Sequence, residues 1–194
     1  MKRKSTCNPN IHHRRSIRLK EYDYSQVGLY LITLCCQDRI HLFGEVVNGE
    51  MILNELGQIA HDEWLKTLQV RDNINLHEFI VMPNHFHAII EIIFQKGNNQ
   101  ENIGQFKSPS QTIGSIIRGY KIATTKKIKD FISSTGELQL AQNSEAFNFS
   151  PNAKKIWQRD YHEHIIRDDR AYQNISNYII NNPSKWKEDT SNKK

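Results

Sequence analysis

The stretch Val81-Met82-Pro83-Asn84-His85-Phe86-His87-Ala88-Ile89-Ile90 reads as the end of one strand, a two-residue turn and the start of the next. Leu76 to Met82 and His85 to Ile93 are both apolar and rich in β-branched residues. With only Pro83-Asn84 between them, they can pair only as an antiparallel hairpin. Side chains alternate faces along a strand, so His85 and His87 point one way and Phe86 the other. Two neutral imidazoles side by side are poor core filler and a good beginning for a metal site. The bland alternative is a pair of hydrogen-bonded surface histidines.

Outward from the hairpin, Gly28 to Cys36 (GLYLITLCC) has the apolar, β-branched character of a central strand. His41 to Val47 reads as a strand, and Asn48-Gly49 turns it into Met51-Ile52-Leu53. Asn54 caps a helix running to about Val70, with Leu56, Ile59, Ala60, Trp64 and Leu68 on one face. A long helix from Thr112 to about Ile132 carries a stripe of Ile113, Ile116, Ile117, Tyr120, Thr124, Ile128 and Phe131. Ile156 to Ile166 alternates partly and reads as extended. A last helix opens at Asp168-Asp169, where acidic residues suit the dipole, and ends at Asn181-Asn182 before Pro183. Residues 94–110 and 133–152 lack periodicity and read as loops. The order β-β-α-β-β-α-(β)-α implies an α+β fold. The compact solution is a ferredoxin-like antiparallel sheet, with helices packed on one face and the other face open to a ligand.

The chain has 194 residues, net charge +5 and pI near 9.1, with mean hydropathy −0.65. That length fits a single domain, placed at 21–186, between a basic N-terminal arm (1–20) and a polar tail (187–194). The charge suits an anionic partner, and nucleic acid is the first candidate. Cys7, Cys35 and Cys36 offer neither a disulfide framework nor zinc spacing. The first residues hold no apolar core of the kind a signal peptide needs, and no run reaches membrane-spanning length. A cytoplasmic protein with no membrane partner is expected.

The histidine pair needs company, because a catalytic metal site uses about three protein ligands and keeps open positions. Ala171, Ile175, Tyr178 and Asn182 lie at spacings of four, three and four, on one face of the last helix. Ala171 and Ile175 would pack on the sheet. Tyr178 and Asn182 would then emerge at the helix end. The Asn182 amide oxygen can ligate a hard cation, and the Tyr178 phenol can attack phosphorus.

The PNHFH segment at 83–87, WQRDYHEHIIRD at 157–168 and NYIINNP at 177–183 together resemble the single-tyrosine HUH transposases. The likeness is greatest to the REP-associated tyrosine transposases of the insertion-sequence transposase-like superfamily, and it spans roughly Gly28 to Trp186. The resemblance implies a ferredoxin-like fold in which His85, His87 and Asn182 bind Mg²⁺ or Mn²⁺. It implies that Tyr178 cleaves single-stranded, hairpin-containing DNA, leaving a 5′-phosphotyrosine and a free 3′-hydroxyl, and that strand transfer follows. A monomer or a homodimer would serve. Two other readings are a domesticated nucleic-acid-binding protein of the same fold and a metal phosphodiesterase that uses water.

Rival residues are present. Tyr120 has basic neighbours but falls on an apolar stripe, and Thr124 stands where a ligand would be needed. His162 and His164 form a second pair around Glu163; the resemblance offers Glu163 and His164 for DNA contact or proton transfer. Arg118 and Lys121 are candidate DNA contacts on the long helix, or part of a solvated face.

Overall fold

The computed structural model describes residues 22–95, 111–135 and 155–188. The basic arm, most of the two loops and the end of the tail lie outside the described residues. Strands β1 (Gly28–Cys35), β4 (Ile74–Met82), β5 (His85–Ile92) and β6 (His162–Ile166) form one antiparallel sheet in the order β4-β5-β1-β6. Strands β2 (Gly44–Val47) and β3 (Glu50–Leu53) form a separate hairpin. Helices α1 (Glu55–Leu65), α3 (Ile113–Thr135) and α4 (Asp169–Ile180) account for most of the helical structure, with a single turn α2 (Thr67–Val70). With the small hairpin set aside, the order strand-helix-strand-strand-helix-strand and the antiparallel pairing are the ferredoxin-like arrangement.

Local chemistry explains the elements. Asn48 and Gly49 both take positive φ (53° and 83°), as a two-residue hairpin turn requires. The Asn54 side chain accepts from Gly57 N, and the Asp168 side chain accepts from Ala171 N, capping α1 and α4. The expected helix from Asn54 to Val70 is interrupted at Lys66, which keeps φ −63° and ψ −15° between α1 and α2. β2 begins at Gly44 rather than His41, and only His162–Ile166 of the expected extended segment pairs as a strand. Trp157 makes a lone bridge to Cys36 before it.

Alternation divides the sheet into two faces. Tyr30, Ile32, Leu34, Phe86, Ala88 and Ile90 join the main core with α1 and α3. Trp64 stands edge-on to both Phe86 and Tyr120, with ring centroids 4.9 and 5.2 Å away. Aromatic pairs in this geometry stabilise beyond their buried area. Helices on one face is what α1 and α3 provide. α4 covers the opposite face, where Ala171, Tyr172, Ile175 and Ile179 pack on Leu29, Leu31, Ile80, Ile89 and Ile166. Opposite residues in antiparallel pairs share a face, so His162, Thr33, His87 and Ile80 form one row beneath α4. Cys35, His85 and Met82 form the next.

Candidate active site

Three segments converge on the two histidines. The Pro83-Asn84 turn sets where β5 begins, and the chain from 36 to 43 ties it down. Pro83 O accepts from Leu42 N and Phe43 N, and Asn84 O accepts from Cys36 N. Asn84 Nδ2 donates to Arg39 O at 3.2 Å, which turns its Oδ1 toward His85 Nδ1 at 2.9 Å. An amide oxygen only accepts, so Nδ1 of His85 carries a proton, and Nε2 is the nitrogen left for a lone pair whenever the ring is neutral. Arg39 and Asp38 hold φ of 55° and 54° in this turn, a left-handed geometry that non-glycine residues adopt at a cost.

His87 lies beside His85, with ring centroids 4.6 Å apart. Its Nδ1 is 2.8 Å from Thr33 Oγ1 across the β1–β5 ladder, and its Nε2 is 3.2 Å from Tyr178 Oη. Burial above all, then the neighbouring His85, His162 and Arg39, lowers its pKa from 6.5 to about 3. A ring that stays neutral at pH 7 keeps a lone pair on one nitrogen.

α4 delivers the third part. Its apolar face seats it on the sheet, so its C-terminal end comes over the histidines. Tyr178 is 44% exposed, with its ring edge-on to His87 at 5.2 Å. Trp186 is buried with its ring 5.8 Å from His85 and 5.6 Å from His41. Asn182 lies midway in sequence between these two aromatic anchors. It is 3% exposed, and among the described residues its buried Oδ1 accepts no hydrogen bond. An orphan acceptor of this kind costs roughly 1–3 kcal/mol, so native structures hold few of them without a reason.

The other candidates sit elsewhere. Glu163 lies opposite Ile32, on the α1/α3 side of the edge strand, with its carboxylate oxygens buried. His164 lies opposite Leu31 and is exposed on the α4 side. Arg118 and Lys121 are on α3, across the sheet from Tyr178. Lys121 Nζ donates to the carbonyls of Gln158, Arg159 and Asp160 at 2.8, 3.4 and 3.1 Å. Tyr120 is buried, donates to Ala60 O at 3.0 Å, and has its phenol pKa pushed up by burial. It is closed to any substrate. Sequence reasoning missed Thr33, Trp186 and the side chain of Asn84 as neighbours of the site. Asn84 stood next to His85 in the sequence; Thr33 could be found only through the strand register.

Among the described residues, no group of three or more His, Cys, Asp and Glu side chains could hold a metal ion. The groups shown in contact are of another kind: two imidazoles and a phenol on one face of a ferredoxin-like sheet, with the buried Asn182 four residues beyond the phenol. That fold is shared with a solved REP-associated tyrosine transposase bound to a REP hairpin. The two are 18% identical, with a TM-score of 0.54 over 88% of this chain and 74% of that one. No family model matches the chain. An uncharacterized protein of Haemophilus influenzae is 42% identical over 190 residues, covering 94% of each chain, and the chain belongs to the same family as that protein. No described helix is long and apolar enough to cross a membrane.

Proposed function

We propose that the protein is a metal-dependent transposase that cleaves and rejoins single-stranded DNA through a 5′-phosphotyrosine intermediate on Tyr178. The observation that carries this reading is the contact of the Tyr178 phenol with His87 Nε2 at 3.2 Å, at the end of a helix seated on the histidine face. The phenol loses its proton, the Oη–P bond forms, the P–O3′ bond breaks, and the 3′ oxygen takes up a proton. The phosphodiester energy is kept in the phosphotyrosine, so rejoining needs no nucleotide cofactor. Partial exposure leaves Tyr178 accessible to a strand, which a core tyrosine would not be.

His85, His87 and Asn182 are the residues that would hold a divalent cation, Mg²⁺ or Mn²⁺. The fit rests on the adjacent imidazoles of His85 and His87, the His87 ring kept neutral by burial, and the orphaned oxygen of Asn182. With neutral ligands only, such a cation would lend nearly its full charge to the scissile phosphate. His87 Nε2 now faces the Tyr178 phenol, so in the loaded site the phenol would give up that hydrogen bond. The fold shared with the REP-associated tyrosine transposase supports this reading, and that protein's hairpin makes hairpin-containing single-stranded DNA the substrate to try first. The test is incubation with a labelled single-stranded hairpin oligonucleotide and Mn²⁺. An SDS-resistant adduct is expected. Cleavage without an adduct would instead favour attack by water.

Asn182→Leu separates a ligand from a structural residue. Leucine is similar in size and removes the buried orphan acceptor, so the metal-free protein is expected to gain about 1 kcal/mol or more. Adduct formation is expected to fall by at least about 10²-fold. Urea titration in EDTA and an adduct time course read the two effects. A variant that loses both stability and activity would make Asn182 structural.

Thr33 orients His87 from the next strand. Thr33→Val keeps the shape but removes the hydroxyl at 2.8 Å from Nδ1. Outer-shell partners of this kind are worth about 10–100-fold in metal affinity. Calorimetric Mn²⁺ titration should show that loss for Thr33→Val and recovery in Thr33→Ser. Equal affinities for valine, serine and threonine would remove Thr33 from the site.

A further inference from the structure

On the other side of the sheet, α3 and residues 155–161 enclose a cleft of about 670 Å³. The cleft follows α3 from Gly114 to Asp130, about 24 Å at 1.5 Å per residue. Six basic side chains and one acidic one line it, an excess of five. The N-terminal residues 1–20 carry a further seven Lys and Arg with no acid, and the rest of the chain is net acidic, so among the described residues the cleft is a local concentration of positive charge. Arg118, Lys126, Lys129, Lys155 and Arg159 are exposed, and Asp130 is the acid. The sixth cation, Lys121, braces the far wall through its three carbonyl contacts and lies 5.6 Å from the Tyr161 ring centroid.

Between these charges the lining is mixed, with Thr125 and Gln158 beside apolar and aromatic residues. Ile117, Ile156 and Trp157 are buried beneath the cleft, Tyr161 is half-buried, and Ile122 stands 62% exposed at its side. Cations beside the reachable Tyr161 ring and Ile122 side chain match a single strand, whose phosphates need charge and whose bases need a face to stack on. A duplex hides its bases and gains little from such a surface. The far wall also leads to the candidate active site. From Trp157, bridged to Cys36, the chain runs to His162, which pairs with Thr33 in the row that holds His87.

We propose that this cleft is a binding track for single-stranded nucleic acid, feeding a strand around the start of β6 toward Tyr178. The inference rests on the proposed reaction for its direction, but binding can be read without any chemistry. The experiment is fluorescence anisotropy of the full chain with a labelled single-stranded oligonucleotide, and with the same sequence as a duplex, from 50 to 300 mM salt.

Wild type is expected to prefer the single strand. Lys126→Glu with Lys129→Glu should weaken binding at least about ten-fold at low salt and flatten the salt dependence by about 1.4, for two lost phosphate contacts. Lys66→Glu, on α1 outside the cleft, should change binding less than two-fold. Three results would overturn the proposal: unchanged affinity and slope in the double variant, a preference for duplex, or displacement by polyglutamate as effective as by unlabelled strand at equal charge. Tyr178→Phe distinguishes the two readings, because it should bind DNA like wild type. Weakened binding in the cleft variants with no adduct from any protein would leave the track standing and sink the chemistry. Normal binding in those variants with a Tyr178-dependent adduct would do the reverse.

Discussion

Tyr178→Phe is expected to abolish covalent capture of single-stranded DNA, a loss of more than about 10³-fold, while leaving the fold and Mn²⁺ affinity in place. The side chain is 44% exposed, and its described polar contact is the phenol at His87 Nε2. Phenylalanine keeps the ring edge-on to His87, so the stability change should stay within about 1 kcal/mol. A gel assay for SDS-resistant adduct and a urea melt read the two quantities. Persistent adduct in the variant would move the nucleophile elsewhere. Tyr120 could not replace it, being buried and committed to Ala60. Tyr172 is engaged with Glu78 and His77 near the other end of α4.

His85→Gln should cost the second-largest effect. His85 is 1% exposed and packs between His87 and Trp186, so alanine would open a cavity and confuse folding with function. Glutamine fills most of the space but does not present a ring nitrogen where Nε2 stood. Adduct formation is expected to fall about 10²- to 10³-fold, in line with losing a main source of transition-state charge stabilisation. Mn²⁺ affinity, read by calorimetry, should fall with it. Wild-type Mn²⁺ affinity in this variant would mean that His85 is not a ligand. Chelation of wild type with EDTA should reproduce the loss, and added Mn²⁺ should reverse it.

Much of this was legible in the sequence because the signals were local. Pro83-Asn84 between two apolar runs gave the hairpin, Asn48-Gly49 the second turn, Asn54 the cap of α1, and Asp168-Asp169 the start of α4. Each is decided by a few neighbouring residues. Period-two alternation put His85 and His87 on one face and Phe86 on the other, which is where they lie. The spacing of Ala171 and Ile175 placed Tyr178 at the histidines through the packing face of α4.

Features that depend on non-local pairing were not legible. Thr33 meets His87 only through the β1–β5 register, with 54 residues between them in the chain. The break at Lys66 has no proline or glycine to announce it, so the apolar period ran through it. α4 lies on the face expected to stay open, because its stripe shows that it packs on something without saying on which side. Lys121 read as a candidate DNA contact or part of a solvated face; its contacts with carbonyls some forty residues away were not visible in the sequence.

In the proposed reaction centre, α4 sets the Tyr178 phenol against the imidazoles of His85 and His87. The most direct test of that centre is peptide mapping by tandem mass spectrometry after reaction with a single-stranded hairpin oligonucleotide and Mn²⁺, followed by nuclease trimming. The account predicts a nucleotide 5′-phosphate on the tyrosine of the peptide Ala171 to Lys185, at Tyr178 and not at Tyr172. A modified Tyr172, Tyr161 or Tyr120, or cleaved DNA with no modified tyrosine, would contradict it.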